Sequence, residues 1–471
     1  MTDHAPGLER LFPEAAPEGV WSLATSAGEL PEWLRGTWLA NGPGRFARSG
    51  QRLEHWLDGD GLLSAVSFDG SGGARLTQRF VATRKRADEE SAGRFLYRTF
   101  GTRFAEDRLL HGVGLASPAN VSVYPFRGEL VAFGEQGLPW SIDPQTLATR
   151  GEQTFDRALN AASPFSAHPC FDPTSGEMWS FGISFAASRP TLNLYRFGAV
   201  GGYDRFRLPL PYPCSIHDFG LSPRFAIFYL NPYLLDMGTM LGGGTVMDAL
   251  AWRPELGSRL LLVERASGEV AAEVPLDGRY CLHQINAFEA GDRLVIDLLE
   301  LDTPVYDQYR PIPELFTSVS AGRPRRLVVD LVRHEIAETI EVAYERAPDF
   351  AAHDPHEALS PSRHFWMLGI AATGQPGRKF FDEIVHGDWE QPDRVDLWRA
   401  PAGHYLGAEP VFVRAPGGGE AGIVLCQLFD ATTPSAALVL FDAFDLPRGP
   451  LARLALPSGT PPQFHTTFVP D

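Results

Sequence analysis

His168, His217, His283 and His465 stand in similar settings, "SAHPC", "CSIHD", "CLHQI" and "QFHTT". Imidazole is a borderline ligand suited to iron, copper, nickel or zinc, and four neutral rings would hold a divalent ion without cancelling its charge. Positions would stay open on such an ion, so the chemistry within reach is activation of a small molecule. The other reading is that these are ordinary satisfied histidines, among the 13 in the chain. Cys170 and Cys281 lie two residues from His168 and His283, and i,i+2 residues share a strand face, which admits a mixed Cys/His zinc site. Compact C-x-x-C pairs are absent, and a buried free thiol is a common core residue, so the cysteines are assigned to cores.

For residues so far apart to meet, the chain must converge on a point. "FAIFYL", Phe225–Leu230, is a continuous apolar run of the kind that forms a buried strand just after His217. Segments such as 130–152 and 259–276 alternate β-rich runs with Pro, Asp and Gly turns, reading as consecutive hairpins. The rhythm recurs without any long stretch of helical periodicity, which predicts an all-β fold. Loosely similar hairpins with 47 Gly and 39 Pro suit a β-propeller, whose inner strands converge on one axis. Between successive histidines the intervals match one, one and about three blades of roughly 40 to 60 residues each. The whole chain, 1–471, is expected to form this one domain, with 1–33 as an extension packed on it. Segment 232–257, apolar with a Gly triplet, breaks the pattern as an insertion.

Composition excludes other classes. With 41 basic and 58 acidic side chains the net charge is −17, and no segregated basic patch offsets it, so nucleic acid is not an expected partner. The first residues lack the basic-then-apolar order of a secretory signal, and no apolar stretch approaches the roughly 20 residues that span a bilayer. A cytoplasmic protein with reduced thiols is therefore expected. There is no phosphate loop or nucleophile elbow, and "LGGGT" lacks the strand-helix context of a dinucleotide site. The His-rich "AHDPHEALSPSRH" (352–364) has the Asp, Pro and Ser content of a solvated turn.

Five ordered motifs then resemble the carotenoid cleavage oxygenase family: "LRGTWLANGPGRF" with "HWLDGDGLLSAVSF", followed by "SAHPCFDP", "SIHDFG", "LHQINAFE" and the C-terminal "FHTTFVP". The resemblance spans nearly the whole chain. It implies a seven-bladed propeller with short insertions capping one axial Fe(II) per chain, held by His168, His217, His283 and His465. It implies carboxylates behind three of those rings, at Glu135 in "VAFGEQGLP", Glu409 in "GAEPVFV" and, one methylene shorter than the usual Glu, Asp349 in "PDFAAHDP".

The activity implied is cleavage of a conjugated C=C bond by O2 to aldehydes or ketones, with no side-chain acid, base or nucleophile beyond the metal site. Ser215 and Leu282 stand where many relatives place Phe, and Val121 where several cleaving relatives have Thr, so an altered substrate tunnel near the metal is expected. Gly134 stands where stilbene-cleaving relatives carry Lys, which favours a lipophilic polyene, a carotenoid or apocarotenoid. Cleavage of stilbenoid or phenylpropanoid alkenes, or a propeller that binds or isomerises polyenes without cleaving them, are the alternatives. Segment 232–257 corresponds to the tunnel mouth in relatives and is the expected site of peripheral membrane contact.

Overall fold

Short apolar strands joined by tight turns pair first with their neighbours, because a hairpin adds buried surface at small loop-closure cost. In the computed structural model, which describes residues 5–111, 114–135, 137–185 and 189–471, this pairing produces seven antiparallel sheets of four or five strands. They are the blades of a seven-bladed β-propeller. The ring is closed at both ends of the chain. Thr466–Val469 is the innermost strand of the first blade, with Ala40 opposite Thr466. Thr25–Gly28 pairs onto the outer strand Pro450–Leu456 of the seventh. Within segment 1–33, therefore, Thr25–Gly28 and Gly19–Leu23 are hydrogen-bonded into two different blades.

Phe225–Leu230 shows why the strands read as unbroken apolar runs. It lies inside the fourth blade between Gly220–Leu221 and Ser258–Glu264, and all six residues are buried. Successive side chains of a strand point to opposite faces. Ala226, Phe228 and Leu230 pack with Trp179 and Phe181 of the third blade, while Phe225, Ile227 and Tyr229 pack with Leu294 and Ile296 of the fifth. Each face meets a neighbouring blade, so neither is polar, and each fully buried side chain of this kind contributes about 1.5–3 kcal/mol.

Segment 232–257 is an excursion between two strands of the fourth blade. A ribbon of Tyr233–Leu235 and Leu250–Trp252 carries the short helices Met237–Leu241 and Val246–Ala249 at its tip. Asp236 and Thr245 accept backbone amides at the helix starts.

One helix departs from the all-strand expectation. Arg84–Ala92 is capped by the Thr83 hydroxyl, which accepts Arg86 N–H, and ends on Gly93 at φ 66°. Its buried positions are Lys85 and Glu89 rather than apolar residues. Lys85 Nζ lies 2.9 Å from both Glu89 Oε2 and Asp60 Oδ1, so an ionic triad takes the place of an apolar stripe. Its partner Asp60 belongs to "HWLDGDG", whose Asp58 accepts the His55 and Gly101 amides. Those acids hold the chain in place. Cys170, Cys214, Cys281 and Cys426 form no disulfide, and the last three are buried.

Candidate metal centre

Every blade contributes to one point on the axis. His168 and His217 immediately precede the innermost strands of the third and fourth blades, Cys170–Phe171 and Gly220–Leu221; His283 lies on that of the fifth, Tyr280–Ala290; and His465 precedes that of the first. The histidines are thus separated by one, one and three blades. Their ligand nitrogens lie within 4.8 Å of one another. The three remaining blades supply carboxylates: Glu135 follows Glu129–Phe133 of the second, Asp349 lies on Ala347–His353 of the sixth, and Glu409 on His404–Arg414 of the seventh.

Backbone irregularity aims these groups. Strand pairing shifts register between Cys281 and Gln284, between Asp349 and Ala352, and between Gly407 and Val411, so His283, Asp349 and Glu409 each sit in or at the edge of a bulge. A bulge bends the strand and turns a side chain out of the regular alternation. Phe350, at φ 51°, and Ala408, at φ 58°, adjoin the two acids in the left-handed region that non-glycine residues avoid. That conformation costs roughly 1–3 kcal/mol per residue and is sustained by the surrounding packing.

Each carboxylate meets one imidazole. Asp349 Oδ1 lies 2.6 Å from His283 Nδ1, Glu135 Oε1 2.9 Å from His217 Nδ1, and Glu409 Oε2 3.3 Å from His465 Nδ1. A carboxylate accepts the Nδ1 proton, which fixes the tautomer and leaves the Nε2 lone pair facing the axis. His217 Nε2 and His283 Nε2 consequently face each other at 3.2 Å, lone pair to lone pair. His168 Nε2 is buried without a partner. One proton could bridge the first pair but would leave His168 unserved, whereas a divalent cation satisfies all four rings, so the donor set fits a metal.

Electrostatics agree. Burial and the other histidines hold His168 and His465 well below the ordinary imidazole pKa, so they stay neutral. Burial works to lower His217, but Glu135 together with Asp218 and Asp349 raises that ring. Burial would raise Asp349, yet His283 holds it below the usual carboxylate value. Burial pushes Glu409 up to about 7 and Asp218 up to about 6. Asp218 accepts the Phe219 and Gln284 amides, tying the His217 segment to the His283 strand.

Two cavities reach this point. One of about 510 Å³ is lined by His217, Glu135, Ser215, Phe165, Ile183 and Tyr306, and extends to Met240 and Leu241 of the insertion. The other, of about 350 Å³, is lined by His168, His283 and His465 and runs along the axis. Val121 is buried, lines a small cleft beside Glu135, and its carbonyl accepts His465 N–H at 3.3 Å. Leu282, expected on the tunnel wall, lies in neither cavity and packs instead in the main core. Ser215 lines the larger cavity together with His217.

Sequence reasoning missed three neighbours. The Phe350 ring lies 5.8 Å from that of His283 and 5.3 Å from that of His465. Thr466 donates its hydroxyl to the Glu409 carbonyl at 2.8 Å. His353, inside the cluster read as a solvated turn, lines the axial cavity with its Nε2 buried. Strand Ala347–His353 reaches further inward than turn composition suggests.

The chain matches the family described as Retinal pigment epithelial membrane protein over residues 12–470. It is similar to apocarotenoid-15,15'-oxygenase of Synechocystis sp., 28% identical over 94% of this chain and 92% of that one. Isoeugenol monooxygenase of Pseudomonas nitroreducens is 28% identical over 94% and 93% of the two chains. The solved structure of cobalt-substituted Synechocystis apocarotenoid oxygenase covers 100% of both chains at a TM-score of 0.89 and 26% identity.

Proposed function

Since the chain belongs to the Retinal pigment epithelial membrane protein family, which includes the carotenoid cleavage oxygenases, we propose that it is a non-haem Fe(II) oxygenase cleaving a conjugated C=C bond of a carotenoid or apocarotenoid. The observation that carries this reading is the pair of Nε2 lone pairs of His217 and His283, 3.2 Å apart, with His217 on the wall of a largely apolar cavity.

His168, His217, His283 and His465 would hold the iron. When bound, it supplies activation of O2 beside the double bond, each oxygen atom ending on one carbon of the broken bond to give two carbonyl products. The chain's own residues do the rest. Glu135, Asp349 and Glu409 hold the Nδ1 protons of His217, His283 and His465, keeping each Nε2 available to the ion. Phe165, Ile183 and Tyr306 form walls that orient a flat polyene and exclude water. The volume of about 510 Å³ falls in the range that encloses a lipophilic ligand. Gly134 leaves this position without the lysine that would meet a phenol, and a Cβ there would lie 2.7 Å from Ser117 Oγ.

At the outer end of the cavity Leu241 is 73% exposed and Leu110 is 45% exposed. Leaving two large apolar side chains in water beside the mouth suits delivery of a membrane-dissolved substrate. Among the described residues no helix is long and apolar enough to cross a membrane, so this contact is peripheral.

Iron-loaded protein incubated under O2 with apocarotenoids, stilbenes and isoeugenol, followed by mass spectrometry, tests the assignment. Aldehydes from the apocarotenoids are expected. Turnover of isoeugenol or stilbenes alone would transfer the site to phenylpropanoid alkenes, and isomerised but intact polyenes would overturn cleavage.

A further inference from the structure

A buried phenol ordinarily finds a partner for its O–H. Several tyrosines of this molecule show how: Tyr229 donates to Glu300 and Tyr233 to Asp307, each at 2.7 Å, while Tyr344 donates to Glu383 and Tyr195 to the Pro164 carbonyl, each at 3.0 Å. Tyr306 departs from this rule. It lines the larger cavity with His217 and Glu135 and is only 6% exposed, yet its hydroxyl meets no hydrogen-bond partner among the described residues. Nor is that hydroxyl sealed in, for it does not belong with the unpartnered atoms shut away from water, such as Gln284 Oε1. The Tyr280 and Tyr309 hydroxyls also lack a partner among the described residues, but neither residue lines the larger cavity.

Packing holds the Tyr306 ring in place. Phe100 lies 5.0 Å away, Tyr309 5.8 Å, and Tyr233 is stacked on it at 6.5 Å with 11° between the planes. Burial, followed by the Tyr280 hydroxyl and the Glu135 carboxylate, holds its pKa well above the ordinary phenol value, so the group remains an O–H donor. Ser215 adds a second hydroxyl to the same cavity, again without a partner among the described residues. It stands where many relatives place Phe, so a ring has given way to a donor. Its own N–H donates to the Tyr233 carbonyl at 2.7 Å, so Tyr233 supports both residues. Water can occupy these donors in the empty cavity. A guest with an oxygen replaces that water, whereas a hydrocarbon displaces it and leaves the O–H unpaired.

We propose that Tyr306 and Ser215 select the substrate by its oxygen: a carbonyl or hydroxyl on the polyene accepts the Tyr306 O–H, with Ser215 Oγ as a second donor to the same guest. The substrate class is then an apocarotenoid bearing a terminal oxygen, and hydrocarbon carotenoids are discriminated against. This rests on the reading of the larger cavity as the polyene site, and it gives the two residues a part in specificity rather than in the chemistry at the metal.

Equilibrium binding to metal-free protein, followed by quenching of tryptophan fluorescence, needs no turnover and so separates recognition from cleavage. The probes are an apocarotenal, the matching alcohol, and the same polyene with methyl in place of the oxygen-bearing group. The unaltered protein is expected to bind the aldehyde, the alcohol or both about tenfold more tightly than the methyl polyene. Tyr306→Phe keeps the ring and removes the donor, and should reduce that preference to about threefold or less with the methyl polyene bound as before. Ser215→Ala should lower the preference about two- to threefold, and keeps the test decisive should Tyr306→Phe fail to fold. Equal affinity for all three probes in the unaltered protein, or a preference that survives in every variant that folds, would overturn the assignment while leaving the polyene site standing. A uniform loss for all three probes in the variants would mark a packing effect and overturn it as well. Failure of the unaltered protein to bind any of the probes would overturn the polyene site and the assignment together.

Discussion

Asp349 Oδ1 receives two donors, His283 Nδ1 at 2.6 Å and the amide of Phe350 at 2.8 Å. The shorter contact is charge-assisted and fixes the ring; the other fixes the acid, through a residue held at φ 51°. An aspartate reaches the imidazole because the bulge between Asp349 and Ala352 brings the strand inward. Asp349→Ala removes the anchor of His283, and metal affinity is expected to fall about 10- to 100-fold. Titration of metal-free protein with Fe²⁺ or Co²⁺ measures this, and affinity within twofold of the unaltered protein would deny Asp349 the role.

Lys85 is buried between two carboxylates, Asp60 and Glu89, each 2.9 Å from its ammonium. Lys85→Met would leave both acids in a dry environment without their nearest cation. Breaking a buried ion pair in this way costs about 3–5 kcal/mol. Chemical denaturation should show a loss of that size, whereas a loss below about 1 kcal/mol would mean that Asp60 finds sufficient compensation in Arg45 and Arg48, 3.9 and 3.8 Å away.

What the sequence disclosed and what it withheld follow from one distinction. The intervals between His168, His217, His283 and His465 match whole blades, which made their convergence possible, and it was the family resemblance that implied one shared ion. Glu135, Asp349 and Glu409 became legible only through family resemblance. Asp349 and Glu409 depend on bulges and positive φ angles that no alternation pattern encodes, and Glu135 reaches His217 across two blades. The helix Arg84–Ala92 escaped for a related reason: its inward face carries Lys85 and Glu89, so hydrophobic periodicity had nothing to register. Leu282 was placed on the tunnel wall because many relatives carry Phe there, a correspondence that does not report that its side chain packs in the main core.

Two buried histidines away from the centre predict the acid limit of the fold. Burial holds His55 down to about 3, and burial together with His364 holds His386 down to about 4. A histidine whose folded pKa lies below its unfolded value takes up its proton on unfolding, so stability is full above about 6.5 and declines as pH falls toward the folded pKa. Each such group withdraws about 1.4 kcal/mol per pH unit in that window. In His386→Gln the slope of unfolding free energy against pH between 6.5 and 4 should flatten by the equivalent of about one proton. Urea titrations of both proteins across the window check this, the metal contribution being common to the two. An unchanged slope would mean that His386 titrates in the folded state.

Leu241 gives the proposed membrane contact a quantitative form. It stands 73% exposed at the end of the helix Met237–Leu241, and the insertion carries no Lys or Arg before Arg253. Attraction to anionic headgroups would therefore contribute little, and apolar burial must dominate. Burying one leucine side chain is worth about 1.5–3 kcal/mol, so Leu241→Asp should weaken partition into vesicles roughly tenfold or more. Sedimentation with neutral phosphatidylcholine vesicles measures it, and raising the salt should leave binding of the unaltered protein nearly unchanged. Binding that instead required anionic lipid and vanished with salt would place the contact on a basic surface elsewhere. Cleavage of a detergent-solubilised substrate should survive Leu241→Asp, because the side chain stands at the rim of the cavity and His217 at its inner end.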